Sequence, residues 1–129
     1  MSVVLAEADA LSARQLRRLL EPFAQLEVVG VAGDGYEAIE MVDRLEPDLM
    51  FIDLEMSKLD GFQVLRALNH KPVVVAMTAQ GRYRHMVAET DAVDCLCKPL
   101  DAEQIQRVMS KIDRMVRVLG RLAGRPYQT

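Results

Sequence analysis

Tryptophan is absent from this sequence, cysteine occurs twice, and three Tyr with three Phe supply all of its 5% aromatic content. Two cysteines separated by one residue, Cys95 and Cys97, cannot form a disulfide framework, which suits a reducing compartment. No apolar run approaches the roughly 18–20 residues a membrane helix needs, so no membrane partner is expected. The opening Met-Ser-Val-Val-Leu-Ala-Glu lacks the basic and apolar regions of a secretory signal, and a cytoplasmic location is predicted. Large net charge is also missing. The balance of −3 does not by itself call for a polyanionic partner.

What is present is an ordinary globular composition, 50% hydrophobic and 27% charged over 129 residues. That length predicts one domain that buries a core without disulfides or metals. The small net charge hides a split. Residues 1–106 carry ten Lys/Arg and eighteen Asp/Glu, a net of −8, whereas residues 107–129 carry six Lys/Arg and one acid, a net of +5.

Short apolar runs alternate with helical periodicity. Val3–Ala6, Val28–Ala32, Leu49–Ile52, Val73–Met77 and Val93–Cys97 read as five strands. Between them Leu11, Leu16, Leu19, Leu20 and Phe23 recur at helical spacing, as do Ala38, Ile39, Met41, Val42 and Leu45, then Phe62, Val64, Leu65 and Leu68. Residues 83–89 form a weaker helical stretch, and a long helix begins near Asp101 or Ala102. Strands alternating with helices predict βαβ units and a parallel sheet. The continuously apolar strands predict helices on both faces, a doubly wound α/β sandwich.

In such a sheet, ligands bind beyond the carboxyl ends of the strands. The polar residues there are Glu7 and Asp9, Asp53 and Glu55, Thr78, and Lys98. Taken singly, each is most simply a loop or capping residue. Together they form a carboxylate cluster, a hydroxyl and an ammonium on one edge. That set suits phosphoryl transfer to a carboxylate: an Asp is a competent nucleophile for phosphate, and clustered carboxylates hold Mg²⁺. Lys98 supplies a point charge, and Thr78 donates a hydrogen bond to a phosphoryl oxygen.

These residues resemble the receiver domain of two-component response regulators, a CheY-like fold. The resemblance covers roughly residues 2–113. It rests on Val3-Val4-Leu5-Ala6-Glu7-Ala8, Phe51-Ile52-Asp53-Leu54-Glu55-Met56-Ser57-Lys58-Leu59-Asp60-Gly61, Thr78-Ala79 and Lys98-Pro99, in that order. It implies a flavodoxin-like (βα)5 sandwich with strand order 2-1-3-4-5. It further implies that Asp53 is phosphorylated by a histidine kinase or phosphotransfer protein and that Thr78 and Lys98 sense the phosphoryl group. Mg²⁺ would be held by Asp53, Glu7 and the Glu55 backbone carbonyl. Ala92-Val93-Asp94 and Lys98-Pro99-Leu100-Asp101 also look like receivers attached to LytTR-type DNA-binding domains. By the same resemblance the domain signals and is not an enzyme beyond its own phosphoryl transfer and autodephosphorylation.

Three positions depart from the family pattern. Ala8 replaces the second of two adjacent acids, which predicts weaker Mg²⁺ binding. Asp9, one residue further on, is a candidate ligand whose competing role is N-cap of the first helix. Cys95 stands where many receivers carry Tyr or Phe, so a switch through aromatic rotation at that position is excluded. Ser57 replaces a common Pro, which predicts a less rigid loop. A pseudo-receiver, a constitutive dimerisation or docking module without useful phosphorylation, is therefore the alternative function. A phosphatase of the haloacid-dehalogenase type, suggested by Asp53 and Glu55, lacks its further acids and the chain length for a cap domain.

Cys95 and Cys97 read as small buried core residues, with no further cysteines for zinc. His70 and His85 read as solvated. In the last helix Ile105, Val108, Ile112, Met115, Leu119 and Leu122 are spaced 3-4-3-4-3, with Met109, Val116 and Ala123 beside them. The first half packs on the sheet as the last helix of a domain spanning 1–113. The second half, in a helical extension over 114–129, has no sheet left to cover. It is expected to pair with a second copy as a homodimer or to lead to an output domain. Arg107, Lys111, Arg114, Arg117, Arg121 and Arg125 then flank the seam or stay solvated. Direct nucleic-acid binding is not expected without a helix-turn-helix pattern or a second basic helix.

Overall fold

A computed structural model of the protein describes residues 1–119, 121–122 and 125–126, with side chains through Val118 apart from that of Arg82. The elements alternate as predicted. They are β1 (Ser2–Ala6), α1 (Ala10–Leu20), β2 (Glu27–Ala32), α2 (Gly35–Leu45), β3 (Leu49–Asp53), α3 (Gly61–Ala67) and β4 (Val73–Thr78). A 3-10 turn (Gly81–Tyr83), a one-turn α4 (Arg84–Val87), β5 (Asp94–Cys97) and α5 (Ala102–Leu119) follow. The five strands form a parallel sheet in the order β2-β1-β3-β4-β5, the expected flavodoxin-like arrangement. No described helix is long and apolar enough to cross a membrane.

Strand alternation sorts the core into two faces. Val3, Leu5, Leu49, Phe51, Val75, Met77 and Leu96 pack with Leu16 and Leu20 of α1 and with α5. Val4, Ala6, Met50, Ile52 and Val74 face the other way, against Ala38 and Val42 of α2 and Val64 of α3. A smaller cluster joins Ala76 and Cys95 to Val87 of α4 and to Leu54. Because β1, β3 and β4 are covered on both sides, their sequences are apolar at nearly every position.

Side-chain caps start the helices. Asp9 accepts from Ser12 N (2.9 Å) at α1 and Asp34 from Glu37 N (2.9 Å) at α2. Asp60 and Gln63 form a reciprocal capping box at α3, and Asp101 accepts from Gln104 N (2.8 Å) at α5. Each cap satisfies amides that have no partner inside the helix.

The end of the chain differs from the sequence-based expectation in two ways. First, the helix does not run over 114–129. α5 ends at Leu119, and Arg121-Leu122 pairs antiparallel with Arg125-Pro126. The seam positions Leu119 and Leu122 and the neighbouring Ala123 lie outside the described side chains. Second, the later part of α5 does have a core to cover. Val116 is only 2% exposed and belongs to the same cluster as Ile105, Val108, Met109 and Ile112. Met1, Leu19, Phe23 and Leu26 are partly buried against the same cluster. The seam from Ile105 to Ile112 faces its own sheet, as expected. Val118, 77% exposed, lies on the opposite side.

Smaller corrections concern single side chains. His70 is half-buried, and its Nε2 lies 2.7 Å from the Pro47 carbonyl. Cys97 is half-buried, whereas Cys95 is buried as expected. Arg107 and Lys111 reach Asp94 of the same chain at 3.7 and 3.4 Å.

Candidate functional site

The register of the sheet assembles the site. Ala6 pairs with Ile52, Asp53 with Met77, and Thr78 with Cys97. The residues that end each strand or follow it directly therefore arrive side by side at one edge: Glu7 beside Asp53, then Thr78, then Lys98. Glu7 (4% exposed), Asp53 (8%) and Thr78 (0%) are the buried polar residues among those described. Burial of three polar groups at one sheet edge needs internal partners.

Lys98 supplies one of those partners. Its Nζ donates to Asp53 Oδ2 at 2.8 Å and also to Glu7 Oε1. Its backbone N–H donates to the Thr78 carbonyl (2.9 Å), which fixes the lysine at the edge, and the Lys98–Pro99 peptide is cis. The remaining carboxylate oxygens are also used. Asp53 Oδ1 accepts from Glu55 N (2.9 Å), and Glu7 Oε2 accepts from Asp9 N (3.2 Å).

This arrangement splits the two acids electrostatically. Burial, with the Asp53 charge nearby, holds the Glu7 carboxyl above its ordinary range despite the Lys98 hydrogen bond. Burial pushes Asp53 the same way, but the Lys98 ammonium and the Glu55 N–H outweigh it and hold Asp53 below its ordinary value. Burial lowers Lys98, but its hydrogen bonds to Asp53 and Glu7 prevail and raise it. At neutral pH the site is thus an ionised Asp53 held against a protonated lysine.

The loop after β3 is shaped by close approach. A side chain on Gly61 would come within 2.9 Å of the Leu54 Cα, and one on Gly35 within 2.7 Å of the Leu59 carbonyl. Lys58 takes the left-handed conformation (φ 71°) and its Nζ donates to Asp34 (3.1 Å). Leu54 and Met56 are buried, while Ser57 is exposed.

A receiver domain is what the strand order, the edge residues and this loop together describe, and the comparison with family models decides it: the model for the response regulator receiver domain matches residues 3–110. The chain belongs to that family. Curated relatives include an uncharacterised response regulatory protein of Vibrio cholerae, 34% identical over 90% of this chain and 46% of its own length. Another is the sensory transduction protein LytT of Bacillus anthracis, 30% identical over 86% of this chain and 46% of its own. The chain spans about half the length of the relatives it matches. Among solved structures, the REC domain of AraT, a response regulator from Geobacillus stearothermophilus, superposes with a TM-score of 0.82 at 25% identity. That match covers 93% of this chain and 98% of the other. The response regulatory domain of mrkE from Klebsiella pneumoniae gives 0.80 at 26% identity, over 89% and 97%.

Of the site residues named from sequence, Glu7, Asp53 and Lys98 are in direct contact. Asp9 is not drawn in: its exposed carboxylate caps α1, bonded to Ser12 N and to Ser12 Oγ (2.7 Å), and only its amide reaches Glu7. Those bonds hold its carboxyl below the ordinary value, serine hydroxyl first. Ala8 is exposed and supplies no carboxylate. No group of three or more His, Cys, Asp or Glu side chains among the described residues is placed to hold a metal. Glu7 and Asp53 nevertheless bring two carboxylates, hard oxygen donors of the type Mg²⁺ takes, to one edge, although Lys98 occupies both.

Sequence reasoning missed the Glu55 side chain. Its backbone was assigned a role, yet its carboxylate crosses to the end of β4. There Oε1 accepts from Thr78 Oγ1 (2.8 Å) and Ala79 N (3.0 Å). The only sequence signal was an acid two residues beyond Asp53, which does not say where it points. A cavity of about 350 Å³, with Glu7, Ala79 and Lys98 in its wall, reaches the site from the α1 side.

Proposed function

We propose that this receiver accepts a phosphoryl group on Asp53 from a phosphohistidine of a histidine kinase or phosphotransfer protein and thereby switches its binding to an output domain or another partner. The observation that carries this reading is the Lys98–Asp53 contact, which keeps a buried carboxylate ionised and so nucleophilic. An Asp53 carboxylate oxygen attacks phosphorus, the P–N bond breaks, and the departing imidazole takes up a proton. Lys98, within reach of both acids, neutralises charge as it builds on the phosphoryl oxygens. Thr78 and the amides of Glu55 and Ala79 are hydrogen-bond donors at the same edge. Glu7, Asp53 and the Glu55 carbonyl would hold Mg²⁺, which supplies further charge neutralisation when bound. Hydrolysis of the acyl phosphate resets the domain. One relative bears the name transcriptional regulatory protein BtsR, which supports transcription as the controlled output.

One observation favours the alternative of a pseudo-receiver. Lys98 already bridges the Glu7 and Asp53 carboxylates, and Ala8 adds no third one beside them. A single experiment separates the readings. Incubation with phosphoramidate and Mg²⁺ should add one phosphoryl group, about 80 Da by mass spectrometry, and Asp53→Ala should abolish the gain. No gain with phosphoramidate or with a phosphorylated histidine donor selects the pseudo-receiver.

A further inference from the structure

We infer that the Glu55 carboxylate occupies, in the unphosphorylated protein, the two donors an incoming phosphoryl group would use, and so acts as a built-in competitor of phosphorylation. The inference rests on Asp53 as the phosphoacceptor and assigns a regulatory side chain to that same site.

Glu55 is tethered beside the acceptor by its own amide, which donates to Asp53 Oδ1 at 2.9 Å. From there its side chain spans to the end of β4. A single oxygen, Oε1, receives both the Thr78 hydroxyl (2.8 Å) and the Ala79 amide (3.0 Å). Two convergent donors on one anionic oxygen are the arrangement a phosphoryl oxygen requires. The Thr78 hydroxyl has one proton. While that proton is directed at Glu55, it is not available to another acceptor. A carboxylate and a phosphoryl group are both anionic, so they repel each other and cannot share the pair of donors. Phosphorylation of Asp53 therefore has to expel Glu55.

A second, independent observation bears on the cost of release. Glu55 Oε2 is buried and has no hydrogen-bond partner among the described residues. One oxygen is doubly satisfied while the other has lost water and gained nothing in return. Release would hydrate Oε2, which partly offsets the two bonds given up by Oε1. The Thr78 hydroxyl also lies 3.1 Å from the Gln80 carbonyl, and that carbonyl accepts the Tyr83 N–H at 3.1 Å. Expulsion of Glu55 thus acts at the start of the turn that leads into α4, a route to the surface that does not involve an aromatic at position 95.

The test measures the rate of Asp53 labelling by phosphoramidate in the intact chain, for wild type, Glu55→Gln and Glu55→Ala. Glu55→Ala should be about tenfold faster, the factor for roughly one net hydrogen bond no longer broken on the way to the transition state. Glu55→Gln keeps the shape without the charge and should fall between the two. In a Thr78→Ala background the gain from Glu55→Ala should shrink, because one of the two contested donors is gone. Rates unchanged or lower in both single variants, with wild type labelled, overturn the competitor role and leave Asp53 as acceptor. An equal gain in the Thr78→Ala background overturns it too, since charge removal alone would then suffice. No label in any variant overturns the phosphoacceptor reading itself. Label on Glu55→Ala but not on wild type is the same competition in its extreme form. A urea midpoint for each variant guards against misfolding, and the near-isosteric Gln keeps the test interpretable if Ala unfolds.

Discussion

Lys98 sits between two buried carboxylates, and its removal would leave both without a cation. Breaking a buried charge pair from one side costs more than the pair itself contributes, because the surviving charge stays desolvated. Lys98→Met is therefore expected to lose about 3 kcal/mol at pH 7. The signs of the shifts give this loss a pH dependence. Lys98 is raised, so its contribution is present below the ordinary lysine value of about 10.4 and is lost above its folded value. Asp53 is lowered, so its contribution is present above about 3.9 and lost as pH falls through its folded value. Glu7 is raised, so its contribution runs the other way: it is present below about 4.3 and lost as pH rises through its folded value. On acidification Glu7 is thus the first of the two acids to take a proton, which relieves the uncompensated charge in the variant. Urea midpoints of wild type and Lys98→Met should differ less at pH 5 than at pH 7. A gap of constant size would mean that Lys98 stabilises by packing its alkyl chain, not by charge.

At the scale of elements, α5 shows both the reach and the limit of sequence reading. The five strands were legible because each is an apolar run ending at a polar residue, and the parallel sheet followed from their alternation with helical periodicity. The edge residues Glu7, Asp53, Thr78 and Lys98 were legible for the same reason: a strand end is a place in the fold as well as in the sequence. The 3-4-3-4 seam of α5 was equally plain, but such a seam looks the same whether it covers its own sheet or a second copy. Only the burial of Val116 in the cluster shared with Ile105, Val108 and Ile112 shows that the later part of the helix still has a core to join. The Glu55 side chain was illegible because its partners, Thr78 and Ala79, lie on another strand and nothing local encodes the reach. The two readings of α5 predict opposite mutational patterns. Val116→Ala should cost about 2 kcal/mol, the loss of two buried methyl groups with little collapse around them. Val118→Ala should change stability by less than about 0.5 kcal/mol. Urea denaturation of both variants across a range of protein concentrations checks this. A concentration-dependent midpoint would support the pairing of two copies through this helix.

For the molecule as a whole, stability is distributed unevenly, and the site lies on the boundary. Among the described residues the cluster under α1 and α5 has fourteen buried members, whereas the one under α4 has four: Leu54, Ala76, Val87 and Cys95. α4 is a single turn with Val87 as its buried residue, and Met86 beside it is 48% exposed. Phe62 and Tyr83, centroids 6.1 Å apart, add packing at its start. Cys95 contributes less bulk here than an aromatic would, so the segment between β4 and β5 is held by few apolar contacts. Such a segment opens locally at a small fraction of the global unfolding free energy. Thr78 and Ala79 stand where the well-packed sheet ends and this segment begins. Glu7, Asp53 and Lys98 are anchored on the rigid side. A charge added at Asp53 should therefore be felt mainly in residues 79–92, because those are the least costly to rearrange. Hydrogen exchange followed by mass spectrometry should show amides of 80–92 exchanging through local opening, and those of β1, β3 and β4 only through global unfolding. Phosphorylation of Asp53 should alter protection in 79–92 and leave 1–50 unchanged. If the change appears first in α1 or α2, the signal leaves through the opposite face, and the weakly packed segment is not its route.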